Sequence, residues 1–288
     1  MITYHRIIKD NYIYFEELLP MLYRSRFALE PNIQGLGASV EGNACGIVLY
    51  REEEELGILR LLYIAVSEPY QKQGIATDLL LTLSETTYNS TGLLAVTDFF
   101  AYNEDSPVYR LFDSSGMFSI QEETGHRAIL SKRIMVDFFK KNKATIQKIP
   151  VIKSTNLGAM TNAQKNALQD FYLKNGPTGS SFDIELDNDL TNAVFSDQNI
   201  EMAVFVTKSL SPPGYYIPFL YSSAGEGKNV ISIICRTLVM IFQKMKEPDS
   251  LIFESMTDSV DTLFLRFFGE DNISEHRYMA GYNGPYAI

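Results

Sequence analysis

A short loop between a predicted strand and a predicted helix contains the residues with the clearest capacity for chemistry. The apolar strand stops at Pro69, and residues 71–76 then lead directly into an amphipathic helix. The first N–H groups of a helix have no partner within it, and the helix dipole adds partial positive charge there. Gly74 and Ala76 remove side-chain bulk from this turn, and Lys72 adds a cation. The loop therefore predicts a site for an anion such as a phosphate at the end of a buried strand.

The elements that would position this loop alternate between strand and helix through residues 3–131. Apolar runs bounded by turn residues predict strands, and apolar residues spaced three and four apart predict helices. The predicted strands of the first half cover residues 3–9, 38–41, 44–51, 56–66, 93–99 and 118–131. The predicted helices contain residues 15–22, 75–86 and 107–112, and residues 31–37 are predicted to form a loop.

The second half repeats this order of elements. Its predicted strands cover residues 149–153, 192–196, 201–208, 215–222, 251–255 and 274–282, and its helices contain residues 163–172, 230–245 and 260–268. Equivalent landmarks, such as His126 and His276 in the two final strands, lie about 150 residues apart. The repeat predicts a duplicated chain, with one domain at residues 1–140, a lysine-rich linker at 141–148 and a second domain at 149–288.

Composition and charge argue against several classes of function. The 288 residues carry a formal net charge of −10, which does not indicate the basic face of a nucleic-acid-binding protein. The two cysteines and three histidines are scattered and support neither a disulfide framework nor a metal site. Residues 1–10 lack the apolar core of a signal peptide, and the apolar run 230–242 is too short to span a bilayer. We therefore expect a soluble, cytoplasmic protein that binds neither nucleic acid nor membrane.

The loop resembles motif A of the GNAT superfamily of acyl-CoA-dependent N-acyltransferases, whose pattern is Gln/Arg-x-x-Gly-x-Gly/Ala. Gln71, Gly74 and Ala76 occupy its three defined positions, and the order of elements in residues 3–131 agrees with that fold. The resemblance implies an α/β fold of two tandem GNAT-like domains with a mixed (α+β) sheet. Each domain would be a mostly antiparallel sheet with a splayed central pair of parallel strands, flanked by helices.

The resemblance also implies acetyl-CoA, or another acyl-CoA, as co-substrate, and no metal. The backbone N–H groups of residues 73–76 would hold the pyrophosphate of coenzyme A. Backbone groups near Ile64 and Val66 would bind the pantetheine arm and polarise the thioester carbonyl. The cofactor-binding residues predicted in this way are Ile64, Val66, Gln71, Lys72, Gln73, Gly74, Ile75, Ala76 and Asn103.

A second family signature, Asn-x-x-Ala-x-x-Leu-Tyr-x-x-x-Gly-Phe, can be placed in two registers. Counting back from Gly116 puts Phe112 in the tyrosine position, which removes the usual proton donor to the leaving thiolate. Counting forward from Asn103 puts Tyr109 there instead, with three extra residues before the glycine. Helix phasing favours the first register, and Tyr109 remains the candidate general acid.

Activation of the acceptor amine needs a base, because a lysine-like amine is mostly protonated at neutral pH. Glu68, near the end of the central strand, is the candidate, and the acidic run 52–55 is the alternative. Tyr63 is equally consistent with lining the cleft and with packing in the core. Cys45 has no histidine partner in sequence and is not expected to act as a nucleophile.

The second half carries an eroded version of the phosphate loop. Gly225 and Gly227 precede a helix, but Glu226 places a negative charge between them and the family pattern is absent. We expect a degenerate GNAT-like domain that lacks cofactor and walls part of the acceptor cleft. The predicted activity is transfer of an acyl group, most simply acetyl, to a primary amine of a small molecule or peptide by direct attack. The alternative is an impaired acyl-CoA-binding or scaffolding module, and the chain is expected to be a monomer or homodimer.

Overall fold

The structure, a computed structural model, describes residues 2–8, 10–19, 23, 24, 27, 32–149, 152–175, 186–196, 199–210, 212–222, 228–255 and 258–284. The chain folds into two compact units. The first comprises Met1–Glu123 together with Arg277–Ile288, and the second comprises Thr124–His276.

Strands and α-helices are labelled in chain order. The strands are β1 (Ile2–Ile7), β2 (Ile33–Val40), β3 (Asn43–Glu53), β4 (Ile58–Val66), β5 (Leu94–Ala101), β6 (Phe118–Ser131), β7 (Thr155–Asn156), β8 (Asn192–Ser196), β9 (Asn199–Leu210), β10 (Pro213–Ser222), β11 (Ser250–Glu254) and β12 (Glu275–Tyr282). The helices are α1 (Ile75–Thr91), α2 (Pro107–Asp113), α3 (Lys132–Ile146), α4 (Asn162–Asn175), α5 (Lys228–Lys244) and α6 (Asp258–Phe268). Short 3₁₀ helices include Tyr12–Leu18 and Glu68–Tyr70.

The first unit is built on one mixed sheet in the order β1-β2-β3-β4-β5-β12-β6. Neighbours from β1 to β4 are antiparallel, whereas β4 and β5 are parallel. Helices α1 and α2 cover one face of the sheet, where Leu59, Leu79 and Phe112 belong to a common apolar core. The 3₁₀ helix Tyr12–Leu18 covers the other face through Phe15 and Leu18. The predicted mixed sheet with a central parallel pair is therefore confirmed.

One predicted loop is wrong in this unit. Residues 33–37 of the proposed loop 31–37 belong to β2, and residue 31 lies outside the described residues. The glycines suggested a turn, but Gly37 serves close packing instead: a Cβ atom there would lie 2.3 Å from the ring of Phe15. The missing side chain lets the 3₁₀ helix sit directly on the strand.

The second unit repeats the same plan in the sheet order β6-β11-β10-β9-β8-β7. Its central pair, β10 and β11, is parallel from Gly214 to Ile217 of β10. Helices α3, α5 and α6 contribute to a core that includes Phe138, Leu238 and Phe264. The predicted first strand at 149–153 is wrong: its described residues are not extended strand, residues 150 and 151 lie outside the described residues, and the edge strand is the two-residue β7.

The tandem architecture is confirmed, but the compact units differ from two consecutive halves of the chain. Residues 277–282 of β12 belong to the first unit, and residues 124–131 of β6 belong to the second. Most of the predicted linker 141–148 is the end of helix α3. Ion pairs explain where the last strands lie, because Arg277 on β12 contacts Asp98 on β5 at 2.6 Å in the first unit. In the second unit, Arg127 on β6 contacts Glu254 on β11 at the same distance.

None of the helices in the described ranges combines the length and apolarity needed to cross a lipid bilayer.

Candidate active site

The loop that precedes α1 presents unpaired backbone N–H groups. Gly74 is the N-cap residue and adopts a left-handed conformation with φ of 84°, which glycine reaches without steric cost. Within the part of the chain that the structure describes, no side chain caps the helix, so the N–H groups at its start have no partner in the helix or from the cap. A Cβ atom on Gly74 would meet nothing within 4 Å, so the space in front of the loop is open. The loop therefore has the donors, the dipole and the room that an anion requires.

Neighbouring side chains leave this loop open. The Gln71 side-chain amide donates to the carbonyl oxygen of Val66 at 3.0 Å, and the Gln73 amide donates to that of Pro69 at 3.1 Å. Both contacts satisfy carbonyl groups that precede the loop, one at the end of β4 and one in the 3₁₀ helix Glu68–Tyr70, rather than N–H groups of the loop. Lys72 is exposed and, unusually for a residue with a side chain, has a φ of 61°. The loop thus holds a strained backbone and a cation beside its free donors.

The start of α1 is anchored on β3. Ile75 is 2% exposed, and its side chain lies against Gly46, where a Cβ atom would come within 2.9 Å of it. Gly46 therefore permits the helix to approach the strand closely. This packing fixes the position of the first turn of α1 relative to the end of β4, where Val66 also contacts the site of the absent Cβ.

The parallel strands β4 and β5 separate after three paired positions. Pairing runs from Ile58 with Leu94 to Arg60 with Val96, although β4 continues to Val66 and β5 to Ala101. Two side-chain contacts join the strands just beyond the last pair: the Thr97 hydroxyl donates to the carbonyl of Leu61, and Arg60 contacts Asp98 at 3.5 Å. The predicted splay of the central strands is present.

A bulge on β4 accompanies this opening. The register with β3 shifts between the pairs Tyr50–Leu61 and Leu49–Tyr63, which leaves Leu62 without a partner in the ladder. The Tyr23 hydroxyl donates to the carbonyl of Leu62 at 2.7 Å. Bulges bend a strand and increase its twist, and this one lies just after the last pair between β4 and β5.

Backbone groups on β4 face the opening. In an antiparallel pair, alternate residues bond to the partner strand and the residues between them point the other way. The N–H of Ser67 bonds to Cys45 on β3, so Ala65 also faces β3 by alternation, and Ile64 and Val66 face away from it. The two predicted positions therefore present their N–H groups where β5 no longer pairs. Loop and opening together fit a diphosphate joined to a slender chain, as the coenzyme A prediction requires.

The structure places the two tyrosine-position candidates differently. Phe112 is 3% exposed and stacks on Phe99, so this position belongs to the core. Tyr109 is half-buried, and its ring contacts Phe99 and Tyr278 edge-on. Burial raises the pKa of Tyr109 above 10.0, and the nearby carboxylates Glu104 and Asp113 raise it further. Tyr109 therefore keeps its proton at neutral pH and is available as a donor.

Asn103 begins the turn that leads into α2. Its side-chain oxygen accepts from the N–H of Asp105 at 3.0 Å and from the Ser106 hydroxyl at 3.4 Å. These bonds shape the start of the helix that carries Tyr109. Asn103 therefore orders this helix, and its predicted contact with the cofactor stays a prediction.

The two acidic candidates occupy unlike surroundings. Glu68 is exposed at the start of the 3₁₀ helix that follows β4. Within the run 52–55, Glu53 is bound by Arg51 at 2.7 Å and Arg60 at 3.0 Å. Burial would raise the pKa of Glu53, but the hydrogen bonds and charges of the two arginines hold it below 4.5. Glu53 is therefore committed to ion pairs, and Glu68 is the better placed base of the two.

A cleft of about 650 Å³ lies beside the carboxyl end of β4 in the first unit. Tyr14, Glu17 and Leu18 of the 3₁₀ helix line one side, and residues 42–44 and 65–67 line the rest. Sequence patterns did not single out Glu17, and the signal was weak: it lies on the polar side of a predicted amphipathic helix. Residues 28–31, which precede β2 in the chain, lie outside the described residues.

Two other sequence candidates have structural roles. The Tyr63 hydroxyl donates to the carbonyl of Leu18 at 3.0 Å, and its ring lies 4.9 Å from that of Tyr23, so it ties β4 to the 3₁₀ helix. The Cys45 thiol is fully buried and donates to Ala38. Burial raises the pKa of this thiol, which keeps it protonated and unreactive.

The second unit has a polar network that joins its central strands β10 and β11 to β6. The Tyr216 hydroxyl donates to Glu254 at 2.5 Å, and Glu254 also accepts from Arg127. Burial raises the pKa of Tyr216 well above 10.0, and Glu254 adds to the effect. The Nδ1 atom of His126 lies 2.6 Å from a carboxylate oxygen of Asp261. The eroded loop at residues 223–227 lies outside the described residues.

Comparisons with known proteins agree with this geometry. Residues 2–113 match the sequence model of the Acetyltransferase (GNAT) family. The fold resembles a tandem GNAT protein from the clavulanic acid biosynthesis pathway (without AcCoA), with a TM-score of 0.64 at 8% identity over 99% of both chains. It also resembles a GCN5-related glucosamine N-acetyltransferase region of a fungal multi-domain GH3 β-N-acetylglucosaminidase, with a TM-score of 0.57 at 12% identity over 98% of this chain and 38% of that chain.

A GCN5-related N-acetyltransferase from Anabaena variabilis ATCC 29413 is similar too, with a TM-score of 0.50 at 9% identity over 97% of this chain and 72% of that chain. At these identities the likeness concerns the fold. No match was found among curated protein sequences.

Proposed function

Because residues 2–113 are a domain of the GNAT acetyltransferase family and the chain has the tandem GNAT fold, we propose that this protein transfers an acetyl group from acetyl-CoA to a primary amine. The observation that carries the proposal is the open ring of N–H groups around Gly74, next to the separation of β4 from β5. The first unit contains all of these features, and the proposed activity resides there.

Residues of the loop would hold the diphosphate of the co-substrate. The N–H groups of residues 73–76 donate to it, the dipole of α1 favours its charge, and Lys72 adds a cation. The N–H groups of Ile64 and Val66 would hold the pantetheine arm and the thioester carbonyl. When bound, acetyl-CoA supplies the carbonyl carbon that the amine attacks and the thiolate that leaves.

The strand would stabilise charge during the reaction. Negative charge would develop on the carbonyl oxygen as the amine attacks, and the N–H group of Val66 or Ile64 would donate to that oxygen. One such donor is typically worth about 2.7–4 kcal/mol. Glu68, exposed at the end of the same strand, would accept the proton that the amine loses, directly or through water.

Tyr109→Phe is expected to slow turnover by about 10²-fold, at the lower end of the range for general acid catalysis. The effect is modest because a thiol with a pKa near 8.5 leaves readily. The tyrosine acts only while protonated, and its pKa is raised above 10.0, so its contribution is lost as the pH rises through that raised pKa. Steady-state kcat measured across alkaline pH should fall in the wild type and stay flat in the variant.

Tyr102→Phe is the matched control, because Tyr102 is 70% exposed and lies just before the same helix. It should leave kcat and its pH dependence unchanged. If Tyr109→Phe turns over as fast as the wild type, Tyr109 is not the acid.

Release of free thiol from acetyl-CoA in the presence of a panel of primary amines tests the proposed function. We expect release that depends on both substrates and saturates with each. A parallel thermal shift with acetyl-CoA separates binding from chemistry, because a ligand of the native state stabilises it by about 2.7 kcal/mol at a hundred times its Kd. Stabilisation without thiol release from any amine would reject the enzyme.

That result would favour a second candidate, an acyl-CoA-binding module without activity. Phe112 occupies the tyrosine position in the register that helix phasing favours, and its side chain is buried in the core and has no hydroxyl group to act as general acid. This observation supports the second candidate.

A further inference from the structure

The cleft beside β4 has one charged group among the described residues that line it. Its volume of about 650 Å³ is in the range of small-molecule sites. Glu17 contributes that charge, and the lining described contains neither lysine nor arginine. A ligand with a carboxylate or phosphate would therefore find repulsion in this cleft and no cation to pair with.

The Glu17 carboxylate is unpaired within the described part of the chain. Its neighbour Glu16, on the same 3₁₀ helix, contacts Arg24 at 3.3 Å, whereas Glu17 has neither a hydrogen bond nor an ion pair. Glu17 is exposed and faces the cleft, so its charge is available to a ligand. An unpaired carboxylate at the mouth of a cleft favours cations over neutral molecules.

Apolar surface flanks this carboxylate. Tyr14 lines the cleft and is 75% exposed, and the adjacent Ile13 is 62% exposed. Leu18, the residue that follows Glu17, also lines the cleft. An aromatic ring beside a carboxylate can contact both the charge and the apolar body of an organic ammonium ion.

The far side of the cleft is formed by small residues. Gly42 lies in the turn between β2 and β3, Ala44 lies near the start of β3, Ala65 lies near the end of β4 and Ser67 directly follows that strand. Val66, which faces the opening toward β5, also lines the cleft. The cleft thus connects the Glu17 carboxylate with the strand end at which the proposed reaction takes place.

From these contacts we infer that the acceptor is a cationic primary amine with an apolar or aromatic body and no acidic group, and that Glu17 selects it. This inference rests on the proposed function. Glu17 attracts the ammonium form, Tyr14 and Leu18 contact the body, and an acidic group on the same molecule is repelled. An α-amino acid is therefore a poor acceptor, and the corresponding amine is a good one.

Three ligands with the same body test this inference: 2-phenylethylamine, phenylalanine amide and phenylalanine. Calorimetric titration at about pH 6.5, below the usual pKa of an α-amine, measures binding with the amines protonated. We expect the first two to bind at least about tenfold more tightly than phenylalanine, which places a carboxylate near Glu17. Equal or tighter binding of phenylalanine, or no binding of the two amines, would overturn the inference.

Glu17→Gln should raise the Kd of 2-phenylethylamine about tenfold and remove the preference over phenylalanine. Glu16→Gln is the matched control: it makes the same change on the same helix at a residue outside the cleft lining, and the preference should persist. A preference that survives Glu17→Gln would also overturn the inference.

The two proposals fail in different ways. Absence of thiol release with every amine, while the binding preference and its dependence on Glu17 persist, rejects the proposed activity alone. Thiol release with equal use of 2-phenylethylamine and phenylalanine rejects the selectivity alone. Activity with the amines should show the role of Glu17 mainly in KM rather than in kcat.

Discussion

Gly74→Glu is expected to raise the Kd of acetyl-CoA by at least about a hundredfold. The glycine holds a φ of 84° at the start of α1, in front of open space. A glutamate there would fill that space and bring a negative charge against a diphosphate, and such a contact costs several kcal/mol. Calorimetric titration with acetyl-CoA measures the loss, and each 1.4 kcal/mol corresponds to a factor of ten.

Gly92→Glu supplies the control at the other end of the same helix. Gly92 has a φ of 76°, and a Cβ atom there would also meet nothing within 4 Å. The two substitutions therefore impose the same kind of backbone strain and add the same charge. If Gly74→Glu keeps an affinity within about threefold of Gly92→Glu, the diphosphate is held elsewhere.

Arg127→Met should lower the free energy of unfolding by about 3 kcal/mol. Arg127 contacts Glu254 and Glu275 at 2.6 Å each, and the Glu254 side chain is 7% exposed. Removal of the guanidinium leaves the buried Glu254 carboxylate without its cation. It also removes the positive charge that Glu254 and Glu275 share. The effect lies at the lower end of the range for a broken buried pair, because the Arg127 side chain is itself 31% exposed. Urea denaturation measures the change.

Arg110→Met is the comparison for an exposed pair. Arg110 contacts Asp105 at 2.5 Å, but the two side chains are 65% and 79% exposed, so at most about 1 kcal/mol is expected. The double variant Arg127→Met with Glu254→Gln should recover part of the lost stability, because it removes the uncompensated charge. Equal losses for Arg127→Met and Arg110→Met would contradict the importance of the buried network.

The strand and helix pattern of the first half was predictable because each element carries its own signal. An apolar run bounded by turn residues marked β4, three-and-four spacing marked α1, and Gly74 marked the turn between them. Helix α3 was missed because its lysines suggested a linker, and β2 was begun too late because Gly35 and Gly37 suggested a loop. In both cases packing against neighbours outweighed the local preference.

The candidate site likewise has one part that the sequence predicted and one part that it did not. The loop that presents the N–H groups of residues 73–76 spans six consecutive residues, so its turn and helix start depend on near neighbours and can be predicted from residue types. The cleft that contains Glu17 gathers segments near residues 14, 43 and 66, and no local spacing relates them. The set of residues that line this cleft could therefore not be predicted from the sequence.

The amino-acid order alone predicted the repeated element plan, a turn suited to an anion and the family resemblance, since these depend on backbone preferences within a few residues. Only the tertiary structure decided that Glu53 is bound by arginines, that Glu17 has no partner among the described residues and that residues 277–282 of β12 belong to the first unit. Arg277 and Asp98 lie 179 residues apart in the chain, and their contact depends on how whole strands pack. Such contacts are set by the energy of the assembled fold, in which burial and charge pairing are shared among distant segments.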